Sequence, residues 1–129
     1  MLAIDTNLVV RYVTGDDPAQ AARARALIDR NDVFVASTVL LETEWVLRSA
    51  YKFPPARLAD ALMAFAGLLH VKLENPEGAA QALAWMRSGF DFADALHLAL
   101  TEHCEAFVSF DVDFVKAART MGDARARLA

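Results

Sequence analysis

The sequence predicts an α/β protein with a mostly parallel central sheet and helices on both faces. Three observations predict it. Short β-branched or aromatic runs alternate with helical stretches along the whole chain. The length, 129 residues, suits one domain, and 56 % hydrophobic against 23 % charged residues supplies a core to bury. With five Gly and four Pro the chain is neither low-complexity nor fibrous, and its composition excludes intrinsic disorder. No repeat, linker or composition shift divides it, so residues 1–129 are expected to form a single domain.

Leu2-Ala3-Ile4 is a short first strand that ends in Asp5 and a turn at Thr6-Asn7. A short helix over Leu8 to Val13 is closed by Gly15. Asp17-Pro18-Ala19-Gln20 then opens a second helix to about Arg30, with an acid at the N-cap and Pro in the first turn. Val33 to Ala36 is the second strand, followed by a helix over about Thr38 to Ala50. Pro54-Pro55 breaks the chain before a helix from Ala56 to about Ala66. Leu69 to Leu73 alternates apolar with polar and suits a third strand. Asn75-Pro76 opens a helix to Arg87, Gly89 ends it, and Asp91 caps another to about His103. Ala106 to Phe110 is the fourth strand, leading through Asp111 into a last helix that ends near Gly122. The tail, Asp123 to Ala129, suits either a short edge strand or a frayed end.

Thirteen Lys and Arg face seventeen Asp and Glu, a formal net charge of −4. Proteins that hold nucleic acid by counterion release usually carry the opposite sign. A polyanionic substrate would need a bound cation to offset the acids. The single cysteine, Cys104, has no partner for an internal disulfide. Met1-Leu2-Ala3-Ile4-Asp5 lacks a basic segment, and the stretch from Leu58 to Val71 is too short for a membrane span. A soluble, cytoplasmic protein without a membrane anchor is expected.

Four places carry an acid that folding alone does not require. Asp5 stands at the carboxyl end of the first strand, where ligands of α/β sheets bind, although it suits a helix cap equally well. Glu42 has Thr38, Val39, Trp45 and Val46 as helical neighbours, a mainly apolar face expected to be buried. Glu44, with Arg48 four residues on, suits a solvated ion pair. Asp94 lies in Phe92-Ala93-Asp94-Ala95-Leu96-His97-Leu98-Ala99-Leu100, a helix apolar nearly all round. His97 is expected partly buried beside it and is not taken as a ligand. Asp111 repeats the strand-end position of Asp5, and Asp113 falls in the first turn that follows.

Carboxylates gathered in one cleft repel one another and raise each other's pKa values. Mg²⁺ or Mn²⁺ removes that repulsion and prefers oxygen ligands. Such a site activates water for attack on a phosphodiester. Cys/His sets of a structural zinc site, a Gly-rich phosphate loop and a Ser nucleophile elbow are all missing. Metal-assisted hydrolysis is the chemistry that remains.

With these residues in view, the chain from Met1 to about Gly122 resembles the PIN-domain family, in particular its VapC-type ribonuclease toxins. Asp5-Thr6-Asn7 matches the family's opening acid motif, Glu42 its second acid, and Phe92-Ala93-Asp94-Ala95-Leu96 its third. Ser109-Phe110-Asp111 matches the strand-end motif of the fourth acid. The resemblance implies a PIN-like three-layer α/β/α sandwich and Mg²⁺- or Mn²⁺-dependent endonucleolytic cleavage of RNA. It makes Asp5, Glu42, Asp94 and Asp111 catalytic and metal-binding, with Asp113 auxiliary and Asn7 and Ser109 in support. It also implies a homodimer and a VapB-type antitoxin partner that occupies the cleft with a basic side chain. Asp123 to Ala129 departs from the apolar closing strand common in the family.

Two other readings compete. A non-catalytic PIN-like module would bind metal or a partner through the same acids. A phosphoacceptor receiver domain predicts a Lys at the end of a late strand, which Ala106 to Phe110 does not offer. Arg11, Arg48, Arg87, Lys116 and Arg119 lie near the acid-bearing segments and suit either phosphate contacts or a solvated surface.

Overall fold

The computed structural model describes residues 1–129 and confirms the α/β class. Its elements, in chain order, are β1 (Leu2–Ala3), α1 (Thr6–Thr14), α2 (Pro18–Arg30), β2 (Val33–Val35), α3 (Ser37–Ser49) and α4 (Pro55–Ala66). They continue with β3 (Val71–Leu73), α5 (Pro76–Arg87), α6 (Phe92–Leu100), β4 (Phe107–Ser109), α7 (Val112–Thr120) and β5 (Ala126–Leu128). Every strand pairing is parallel. β1, β2 and β3 form one sheet in that order, and β4 pairs with β5 in a second. Helices and sheets together make the layered α/β/α arrangement.

Caps explain most boundaries. The Asp5 carboxylate accepts from the Leu8 backbone N–H at 3.2 Å, so α1 starts two residues before the expected Leu8. Gly15, at φ 64°, closes α1 in the left-handed conformation that favours glycine. Asp17 caps α2 through Gln20 N–H at 3.1 Å, while the Gln20 side chain accepts from Arg11 Nε at 2.8 Å instead of completing a capping box. Asn75 and Asp91 cap α5 and α6 in the same way, at 2.8 and 3.1 Å. α6 stops at Leu100, three residues short of His103, where the Thr101 hydroxyl donates to the His97 carbonyl.

The core has two parts. Ile4, Val9, Ile28, Val33, Val35, Phe65 and Val71 pack β1–β3 against α1, α2 and α4. A larger cluster, centred on Leu47, Leu58, Leu62, Leu83, Phe92 and Leu98, joins α3 to α7. Val13 and Leu73 touch both clusters. Burying one such Leu or Phe contributes about 1.5–3 kcal/mol. Gly78 lets α5 approach α6 closely, because a Cβ there would meet Leu100 Cδ2 at 3.1 Å. No helix is long and apolar enough to cross a membrane.

The tail resolves as a strand. β5 pairs with β4 in the register Phe107↔Ala126 to Ser109↔Leu128, and Ala126 is fully buried. Arg125 secures it. Its guanidinium donates to the carbonyls of Leu98, at 2.9 Å, and Thr101, and pairs with Asp123 at 2.7 Å. The cationic side chain thereby satisfies the last carbonyls of α6.

Candidate active site

Asp5 and Glu42 are brought together through Thr6. β1 is only two residues long, and its exit places Asp5 at the N-cap of α1, with Thr6 in the first turn. Thr6 is buried, and its hydroxyl donates to Glu42 Oε1 on α3. One Asp5 oxygen serves the cap and the other is left for a ligand.

The expected burial of Glu42 is corrected. Glu42 is exposed, and Trp45 on the same face is 58 % exposed. α3 turns Leu40, Thr43, Glu44 and Leu47 inward instead. Glu44, expected to be solvated, is the buried acid, held by Arg48 Nε at 2.9 Å. Apolar spacing on α3 pointed to two opposed faces, and packing against α4 and α6 selected the one that carries Glu44.

Asp94 and Asp111 form the second pair. Asp94 is half-buried in the first turn of α6, and its backbone N–H donates to Asp91 Oδ2 at 3.1 Å. Burial pushes the Asp94 carboxyl up, and the negative charges of Asp91 and Asp111 push it further; His97 opposes them. His97 is exposed, not partly buried beside the site as expected. Asp111 caps α7 through Phe114 N–H at 3.0 Å, and its own N–H donates to the Ser109 hydroxyl at 3.0 Å. Ser109 thus shapes the turn that presents Asp111. Asp113 is exposed in the first turn of α7 and engages nothing.

The Asn7 side chain makes no hydrogen bond to Asp5. It faces a groove shared with Leu8, Arg11, Gln20 and Arg23, and makes no side-chain hydrogen bond; the Leu8 N–H holds Asp5 instead. Most of the basic residues are engaged elsewhere: Arg11 with Asp16, Gln20 and Tyr51, Arg48 with Glu44, Arg87 with Asp60, and Arg119 with the Ala126 carbonyl. Sequence reasoning placed Thr6 in a turn and Asp91 at a helix cap but gave neither a part in the site. The available signal was their placement: a hydroxyl directly after a strand-end acid, and a capping acid three residues before another acid.

The donor set fits a hard divalent cation in kind. It is all oxygen, and besides burial the negative charges of Asp91 and Asp111 act on Asp94, a repulsion that a cation would relieve. The two pairs do not close into one cluster: no group of three or more His, Cys, Asp or Glu side chains is arranged to hold an ion. α3, which carries Glu42, packs against both α1 and α6.

This combination of layered parallel strands, strand-end acids and helix-borne acids defines a nuclease-type fold. The family model of the PIN domain matches residues 2–120, and the chain belongs to that family. PIN domains are generally metal-dependent nucleases. No curated protein and no solved structure matches the chain.

Proposed function

We propose that the protein is a VapC-type ribonuclease toxin, an endonuclease that hydrolyses RNA phosphodiesters with Mg²⁺ or Mn²⁺. The environment of Asp94 carries the reading: the carboxyl is half-buried in the first turn of α6, the negative charges of Asp91 and Asp111 bear on it, and no basic side chain bonds to it, so a bound cation would supply the counter-charge. Asp5, Glu42, Asp94 and Asp111 are the residues that would hold the ion, with Asp113 as an auxiliary. When bound, the ion polarises the phosphodiester and lowers the pKa of a coordinated water.

The chain's own groups do the rest. The caps on α1 and α7 fix one oxygen each of Asp5 and Asp111 and leave the other free. Thr6 fixes Oε1 of Glu42, so Oε2 takes the proton of the attacking water. As water adds to phosphorus, the bond to the leaving oxygen would break, and that oxygen would take a proton from solvent while Glu42 releases the one it received. A VapB-type antitoxin with a basic side chain would neutralise the same acids, and exposed Trp45 offers apolar surface for that partner or for a second copy in a homodimer.

The separation of the acids into two pairs favours a second reading, a metal- or partner-binding module without catalysis. Expression separates the two. Wild-type protein produced without a partner arrests growth, whereas Asp94→Asn does not. Harmless wild-type expression of folded protein would establish the binding module.

A further inference from the structure

Glu44 is the one charged side chain in the core, 2 % exposed, and the proposed hydrolysis makes no use of it. Its two oxygens accept from Arg48 Nε at 2.9 Å and Nη2 at 3.4 Å. That fork fixes the guanidinium while leaving Nη1 and the outer face of Nη2 free. The Arg48 side chain is 49 % exposed. Burying a carboxylate is costly, and a solvated pair would have served stability as well. What burial adds is a fixed position for Arg48.

Glu44 and Arg48 line a cavity of about 300 Å³ with Asp91 and the apolar Phe53 and Phe90. That size lies at the small end of ligand-binding cavities. Gly89, at φ 104°, lies on its rim with open space where a Cβ would stand. Asp91 also caps α6 directly before Asp94, so the cavity adjoins the proposed metal centre. Two carboxylates and one guanidinium leave one surplus negative charge, which disfavours a phosphate in the cavity. They suit a flat neutral group with an acceptor edge beside a donor edge.

We propose that this cavity receives a guanine base of the RNA strand, with Arg48 donating to O6 and N7 and Asp91 accepting from N1–H and the N2 amino group. Arg to O6 and N7 is the commonest specific guanine contact. Phe53 and Phe90 offer apolar surface to the faces of the base. The inference rests on the RNA-cleaving reading above.

Two measurements test it on the full-length protein. In saturation-transfer NMR without metal, guanosine receives a several-fold stronger signal than adenosine, cytidine or uridine, and Arg48→Lys and Asp91→Asn abolish the difference. Lys keeps a positive charge beside Glu44 without the planar fork, and Asn caps a helix as well as Asp does, so both variants are expected to fold. With metal, oligonucleotides differing in one base beside the cut show about a tenfold preference for guanine, lost in both variants whatever their overall rate. Equal signals from all four nucleosides, or a preference untouched in either folded variant, would overturn the proposal. Guanosine contact without any RNA cleavage would uphold the cavity and overturn the nuclease reading.

Discussion

The Thr6 hydroxyl donates to Glu42 Oε1 across 36 residues of sequence, joining the first turn of α1 to the middle of α3. Asp5 directly precedes Thr6, so this bond sets the spacing between the first two acids. Thr6→Val keeps the shape and removes the donor. Its stability cost is about 0.5–1.5 kcal/mol, because exposed Glu42 can turn to water. Cleavage should fall about tenfold, a larger relative loss than the shift in the urea midpoint accounts for. Unchanged activity would remove Thr6 from the site.

Asp94 carries the clearest stability–function conflict. Burial first, then Asp91 and Asp111, raise its carboxyl above the ordinary value. A raised carboxyl holds its proton more tightly in the folded state. Its contribution to stability is therefore present at low pH and lost as pH rises through the folded value. At neutral pH and in EDTA, Asp94→Asn should melt about 2–4 °C above wild type while losing cleavage. Adding Mn²⁺ should close the gap by stabilising only wild type. Thermal melts with and without the ion check this, and a variant that melts lower in EDTA would contradict it.

Arg125 ties the C-terminal strand to the end of α6. Arg125→Met removes the bonds to the Leu98 and Thr101 carbonyls and leaves Asp123 with only the backbone N–H of residue 125, at a cost of about 2 kcal/mol. Burial works to raise the Asp123 carboxyl, but the Arg125 hydrogen bonds outweigh it and hold it low. That contribution is present above the unfolded value and lost as pH falls through the folded one. Urea midpoints of wild type and variant should therefore converge in acid. A constant difference across pH would show that Asp123 has no part in it.

Local signals made the fold legible. Asp17-Pro18, Asn75-Pro76 and Asp91 announce helix starts because capping is a short-range interaction, and all three cap as expected. β5 was ambiguous because its partner contacts are distant: Arg125, polar in sequence, becomes structural only against the carbonyls of α6. Strand-end placement singled out Asp5 and Asp111 as candidate ligands; both cap the helix that follows, through Leu8 and Phe114 N–H.

Side-chain burial on α3 was the harder part. Glu42 and Glu44 are two residues apart, and both faces of the helix carry apolar residues. Only the packing of α3 shows that Leu40, Thr43 and Leu47 share the inner face with Glu44. Thr6, directly after Asp5, gave no local sign of its bond to Glu42, because its partner lies on another helix.

The most direct test of the account is cleavage of a single-stranded RNA by purified wild type, Asp94→Asn and Glu42→Gln in Mn²⁺ or Mg²⁺, with EDTA as control. Wild type is expected to cleave with metal and not in EDTA, and both variants to lose about a hundredfold or more. Equal cleavage by all three proteins, or cleavage that persists in EDTA, would contradict it.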